Sequence, residues 1–207
     1  MLFVLWPEWN RWVSSQLSIG GHVMERTSLA IFAALVCTTA PFAIGQASAQ
    51  QADASTSSGK LDIFVGSGTC TGNMNAMGKN PGHATTGKFH GEKTLNGNWA
   101  VIHYDEDQTA ANPKPFSVAQ YFGYDTAKQH FVTVIFDNSG AGYGMGTSPG
   151  WKGDTITFDE MVPMGGKRAA YRDVFMKSGS SLSGHTGMTQ DKHGKWVKTD
   201  EETCQKA

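Results

Sequence analysis

From residue 61 onward the chain has no long apolar stretch of helical period. Short runs of β-branched and aromatic residues instead alternate with clusters of Gly, Asn, Asp and Pro. That punctuation belongs to antiparallel strands joined by tight turns. A period of two puts apolar side chains on one face of a pleated strand, and turn residues supply the compact or left-handed backbone that a reversal needs. The pattern predicts about ten strands, at residues 63–72, 83–95, 98–105, 116–124, 130–137, 142–148, 154–161, 168–177, 182–190 and 195–204. Between them, Asn96-Gly97, Asp125-Thr126-Ala127-Lys128, Asn138-Ser139-Gly140, Pro149-Gly150-Trp151-Lys152-Gly153, Lys177-Ser178-Gly179 and Asp191-Lys192-His193-Gly194 carry hairpin chemistry. Sequential hairpins make a meander, and a meander this long either closes or leaves unpaired edges. The expected fold is all-β: a closed antiparallel up-and-down β-barrel of about ten strands.

One hairpin can be given a register. With Asn96-Gly97 as a two-residue turn, Leu95 faces Asn98 and the numbers of cross-strand partners sum to 193. His90 then opposes His103, Glu92 opposes Val101 and Lys88 opposes Asp105. The other face carries Phe89, Gly91, Leu95, Ala100, Ile102 and Tyr104, with Lys93 and Asn98 as polar exceptions near the turn, and its apolarity marks it as inward. The outward histidines read as two solvated imidazoles or, more sharply, as a transition-metal site made by His90, His103 and Glu92, because directly opposed β-carbons lie about 5 Å apart.

The N-terminal part has a different texture. Met24, Arg26, an apolar run over residues 29–44 broken by Pro41, and the small-residue site Ala47-Ser48-Ala49 form the pattern of an export signal cleaved after Ala49. Residues 1–23, with Trp6, Pro7, Glu8, Trp9, Arg11 and Trp12, read as an upstream extension before the true start at Met24. Pro41 and Thr38-Thr39 leave the apolar run short of the roughly 20 residues a membrane helix needs. Residues 24–49 are thus the signal, residues 50–60 a flexible Ala/Ser/Thr/Gly-rich leader, and residues 61–207 one domain. Removing residues 1–49 from 207 leaves 158, enough for a single core. The expected location is the periplasm or the exterior. There cysteines pair, and the two that survive cleavage, Cys70 and Cys204, fall in the first and last predicted strands. Barrel closure sets those strands side by side, so a Cys70–Cys204 disulfide is expected.

Composition narrows the function classes. With 17 basic and 18 acidic residues and a net charge of −1, nothing steers the chain to nucleic acid or to an anionic membrane. No Gly-x-Ser-x-Gly elbow, His-Glu-x-x-His pair or phosphate-binding loop occurs in the sequence. The glycine-rich run 66–72 lies within a strand and reads as close backbone approach or a bulge. The carboxylates of Asp105-Glu106-Asp107, Asp159-Glu160 and Asp200-Glu201-Glu202 fall near strand ends and read as solvated charge.

The order Leu95-Asn96-Gly97-Asn98-Trp99, then Tyr121-Phe122-Gly123-Tyr124-Asp125, a Lys-containing turn, the aromatic strand from Phe131 to Asp137, and later Arg172-Asp173-Val174 resembles the domain of unknown function 1579 family. The resemblance spans roughly residues 65–202. It implies a lipocalin-like, calycin-type barrel with an internal cavity, and it brings no established activity and no catalytic residues.

A barrel of this size encloses room for one small ligand. Most of its aromatic residues serve packing; Tyr104, Phe116, Tyr121 and Phe131 are the candidate ligand-facing walls. Arg172, an in-strand guanidinium between Tyr171 and Asp173, is the candidate polar anchor for a ligand carboxylate, the alternative being an outward position or an ion pair with Asp173. The function expected is an exported, non-enzymatic binding protein for a small apolar or amphipathic molecule, with no cofactor. A haem- or metal-binding barrel is the alternative, weakened by a last strand, 195–204, without histidine. An enzyme of unrecognised type, for instance one built on His185 and nearby hydroxyls, is the third.

Overall fold

The computed structural model describes residues 59–78 and 81–207. The expectations for the extension at 1–23, the signal at 24–49 and most of the leader lie outside the described residues. The order of strands is β1 (Gly66–Met74), β2 (His83–Thr94), β3 (Trp99–Glu106), β4 (Ser117–Asp125), β5 (His130–Asp137), β6 (Tyr143–Ser148), β7 (Trp151–Lys152), β8 (Thr155–Met164), β9 (Lys167–Ser178), β10 (Ser181–Gln190) and β11 (Trp196–Lys206). Every pairing is antiparallel. Neighbours in sequence are neighbours in the sheet, except that β1 pairs β11 and β6 pairs β8 across the two-residue β7. Those two pairings close the ring, so ten long strands form the up-and-down barrel that the turn spacing predicts.

The seam joins the ends of the domain. Cys70 and Cys204 are direct register partners on β1 and β11, and their Sγ atoms are bonded at 2.03 Å. Between β2 and β3 the pairs run from Thr94↔Trp99 to Gly87↔Glu106, which is the register summing to 193, with His90 opposite His103. The connection itself differs from expectation. Leu95 to Asn98 form a four-residue turn in which Leu95, Asn96 and Gly97 all have positive φ (50°, 59° and 82°). Leu95 is therefore exposed at the turn instead of lying on the inner face.

Residues 62–64, of which 63 and 64 are expected as the start of the first strand, form a short 3-10 turn held by Phe64 N–H donating to Leu61 C=O and Val65 N–H to Asp62 C=O, each 3.1 Å. The turn tucks Leu61, Ile63 and Phe64 under one end of the barrel, where all three are buried. Gly66, at φ 114°, then swings the chain into β1. Phe64 stacks on Phe122 with centroids 3.9 Å apart, and Phe175 meets both rings edge-on. Phe158, Ile156, Leu182, Phe89 and Phe131 complete this closed end. Trp151 fixes the plug from outside by donating its indole N–H to the Lys60 carbonyl at 3.2 Å. Among the described residues no helix is long and apolar enough to cross a membrane.

Candidate functional site: a carboxylate-lined cavity

The inward positions change character along each strand. On β4, Phe122 is followed towards the open end by Gln120 and Val118; on β8, Phe158 by Glu160 and Val162; on β9, Phe175 by Asp173 and Tyr171. On β5, Phe131 is followed by Thr133 and Ile135. A polar layer thus sits directly on the aromatic plug. Its centre is Gln120, whose Nε2 lies 2.9 Å from Asp173 Oδ2, 3.1 Å from Thr133 Oγ1 and 3.2 Å from Glu160 Oε1.

His185 links this layer to β11. Its Nε2 is 2.8 Å from Asp173 Oδ1 and its Nδ1 is 3.1 Å from Asp200 Oδ2. The β9–β10 register shifts between Leu182 and Gly184, and the β10–β11 register between Gly187 and Met188, so β10 is irregular on both sides of His185. Such irregularities re-aim side chains. Asp200 also accepts from the Tyr171 hydroxyl at 3.0 Å and from Thr199 Oγ1 at 2.7 Å, both at Oδ1. Gly187 makes that junction possible, because a methyl group there would overlap the Tyr171 hydroxyl and Asp200 Oδ1.

The electrostatics follow from this packing. Burial pulls the His185 pKa down, yet the charge of Asp200 and hydrogen bonds to both aspartates outweigh it and leave the imidazole well above its ordinary value. Burial likewise raises Asp200, but the His185 charge and the Thr199 and Tyr171 hydrogen bonds bring it down to about 2. The result is an imidazolium clamped between two carboxylates. Glu160 behaves oppositely: burial first, and then the charge of Asp173, push it up to about 10, so at neutral pH it is an uncharged acid. Its Oε2 has no hydrogen-bond partner. Burial and neighbouring carboxylates also raise Tyr104 and Tyr171 above the ordinary phenol value, so both remain donors.

Above this layer the barrel holds a cavity of about 630 Å³ with two unlike walls. Val118, Ile135 and Val162 make an apolar wall, with Phe116 on the same side of the rim. Tyr104, Glu202, Tyr171 and Asp200 make a polar wall, where Tyr104 donates to Glu202 Oε1 at 2.6 Å. Tyr104 lies flat over Gly87, where any β-carbon would overlap its ring. At the mouth, Glu106 Oε1 pairs with His83 Nε2 at 2.8 Å, while its Oε2 accepts from Asn112 Nδ2 at 2.8 Å and from Phe116 N–H at 3.0 Å, pinning the loop between β3 and β4.

The residues expected at the site divide accordingly. Tyr104 and Phe116 line the cavity. Phe131 is buried in the closed end against Tyr124, with ring centroids 5.0 Å apart. Tyr121 is on the outer face, edge-on to Phe136. Arg172 does not face the cavity: its Nε is 2.6 Å from Asp159 Oδ1, and its guanidinium lies 4.3 Å from the Trp196 ring centroid on the outside. The period of two explains this, because Tyr171 and Asp173 point in and the residue between them must point out. His90 and His103 are exposed neighbours on the outer face, and His90 Nδ1 is 2.8 Å from Ser67 Oγ. Among the described residues no group of three or more His, Cys, Asp or Glu side chains is placed to hold a metal ion, so Glu92 does not complete a site there.

The carboxylates read as solvated need the largest correction. Glu106, Glu160, Asp200 and Glu202 are all buried, as is Asp173. Their spacing carried the signal. Glu106 follows Tyr104 by two, Glu160 follows Phe158 by two, and Glu202 precedes Cys204 by two, so each shares the inward face of a core or wall residue.

A family model described as a protein of unknown function (DUF1579) matches residues 57–206, nearly three quarters of the chain. The chain belongs to the DUF1579 family. The DUF1579 match covers every strand of the barrel and every residue of the cavity, so the site lies wholly within the family's domain. No curated protein matches the sequence.

Proposed function

We propose that this DUF1579 protein is an exported binding protein that holds one small amphipathic molecule inside its barrel. The observation that carries this reading is the cavity of about 630 Å³, walled by aliphatic side chains on one side and by ordered hydroxyl and carboxylate groups on the other. Small-molecule sites have this make-up, mostly apolar with a few placed polar groups. Export is supported by the signal-like segment ending at Ala49 and by the Cys70–Cys204 disulfide, which persists in oxidising compartments. Binding is favoured over hydrolysis because His185, the imidazole on the cavity floor, has both ring nitrogens engaged by aspartates. The same occupancy speaks against His185 as an axial haem ligand.

The test is displacement of the neutral fluorophore N-phenyl-1-naphthylamine, together with native mass spectrometry of the purified protein. The wild type is expected to enhance the fluorescence of the probe and to carry a small molecule released on denaturation. Ile135→Trp, which fills the apolar wall beside Gly144 and Val162, is expected to abolish both. Failure of the wild type to take up the probe, with no co-purifying molecule, would overturn the reading.

A further inference from the structure

Glu202 is 9 % exposed and projects into the cavity from β11. Its Oε1 accepts from Tyr104, and its Oε2 has no protein partner among the described residues. The side chain is largely buried but Oε2 is open to the cavity, which leaves a carboxylate oxygen there to accept from a positive charge or a strong donor. No described residue supplies that partner. The His185 charge is taken by Asp173 and Asp200, His83 is held by Glu106, and the Arg172 guanidinium is outside on Asp159. Lys114 belongs to the exposed rim loop.

The cavity as a whole repeats the imbalance. Glu106, Asp137, Asp173, Asp200 and Glu202 line it, against His83, His185 and, in the exposed rim loop, Lys114. A carboxylate-headed ligand would meet the like charges of Asp200 and Glu202 on the polar wall. The facing wall of Val118, Ile135 and Val162 has no polar side-chain atoms and suits a hydrocarbon body.

We infer that the ligand is a cationic amphiphile, an alkyl or aryl ammonium whose protonated nitrogen pairs with Glu202 while its apolar part lies on the wall formed by β4, β5 and β8. This rests on the binding-protein reading and reverses the polarity expected from the sequence, where Arg172 would have held a carboxylate. Tyr104 orients the acceptor: by occupying Oε1 it leaves Oε2 directed at the incoming head group.

The experiment is calorimetric titration of the mature protein at pH 7 and low salt with three probes of equal chain length, n-decylammonium and n-decanoate below their micellar concentrations and n-decanol below its solubility limit. Decylammonium is expected to bind at least tenfold more tightly than decanol, with decanoate weakest. Glu202→Gln is expected to bring decylammonium to the affinity of decanol and leave decanol unchanged. The wild-type ranking decides the matter even if that variant does not fold. Decanol or decanoate binding as tightly as decylammonium overturns the cationic preference and leaves the binding-protein reading standing. A decylammonium preference unchanged in folded Glu202→Gln overturns the role of Glu202, and no binding of any probe overturns both readings.

Discussion

The two ends of this barrel are built from the same strands and the same inward face, yet they do opposite things. At the closed end Phe122, Phe158 and Phe175 pack ring against ring beneath Phe64. Two residues further along each of these strands stand Gln120, Glu160 and Asp173. Burying each of those phenylalanines contributes about 1.5–3 kcal/mol, whereas an unsatisfied buried polar group costs about 1–3 kcal/mol. Gln120 and Asp173 are hydrogen-bonded and only Glu160 Oε2 of this layer is unmet, so the burial of the phenylalanines outweighs that one loss.

The largest effect expected from this contrast is Phe122→Ala, at the centre of the plug, with a loss of about 3–5 kcal/mol. Ile135→Ala removes a comparable aliphatic group from the wall of a space that already exists, and should cost less than about 2 kcal/mol. Urea unfolding of both variants measures the difference. Equal losses would mean that the open end is packed as tightly as the plug and that the contrast is false.

Next in size is the disulfide, which touches both ends: Cys70 and Cys204 belong to the buried core and also line the cavity. The double replacement Cys70→Ser with Cys204→Ser is expected to cost about 2–4 kcal/mol. The far-ultraviolet circular dichroism of the barrel should persist at 25 °C, because the β1–β11 ladder on either side of the bond remains. Loss of all sheet signal in the double variant would show that the ladder does not hold without the bond.

These two regions were also unequally legible in the sequence. The aromatic strands, the hairpin turns and the His90–His103 register follow from a period of two and from turn residues, both local properties, and the Cys70–Cys204 pairing follows from the closure that a meander of such strands requires. The 3-10 turn at 62–64 escaped because Ile63 and Phe64 have strand composition, and only their burial under the barrel makes them a plug. The carboxylates escaped for a different reason. Asp and Glu are rarely buried, and that expectation overrode the alternation in which Glu160 stands two from Phe158 and Asp173 two from Phe175. Carrying the parity of Phe175 along its strand would have placed Tyr171 and Asp173 inside and Arg172 outside. What no local pattern could supply is the cross-strand meeting of Gln120, Thr133, Glu160, Asp173 and His185, which five separate strands bring together.

The smallest expected effect sharpens the contrast most, because it concerns a charge that the open end refuses to carry. Glu160 is raised by burial and by Asp173 to about 10, so between its ordinary value near 4.5 and about 10 the folded protein holds a proton that the unfolded chain has released. More protons bound in the folded state means that stability falls as pH rises through that window, by at most about 1.4 kcal/mol per pH unit. His185 adds to the fall at higher pH. Its raised folded value contributes stability that is complete below its ordinary 6.5 and is lost as pH climbs through the folded value. Asp200, lowered to about 2, acts at the other extreme: its contribution is present above 3.8 and is lost as pH falls towards 2. Among these three groups, the interval from pH 5 to 6.5 therefore isolates Glu160. Glu160→Gln keeps the shape of the side chain and replaces the acid proton with an amide donor, so its stability should lack the Glu160 part of the slope. Urea midpoints at half-unit steps should nearly coincide for the two proteins at pH 5 and diverge steadily, with the variant on the order of 1 kcal/mol more stable at pH 6. Parallel curves from pH 5 to 8 would mean that Glu160 ionises in the folded barrel, and the polar layer would then hold one more negative charge than the geometry of Gln120 and Asp173 accommodates.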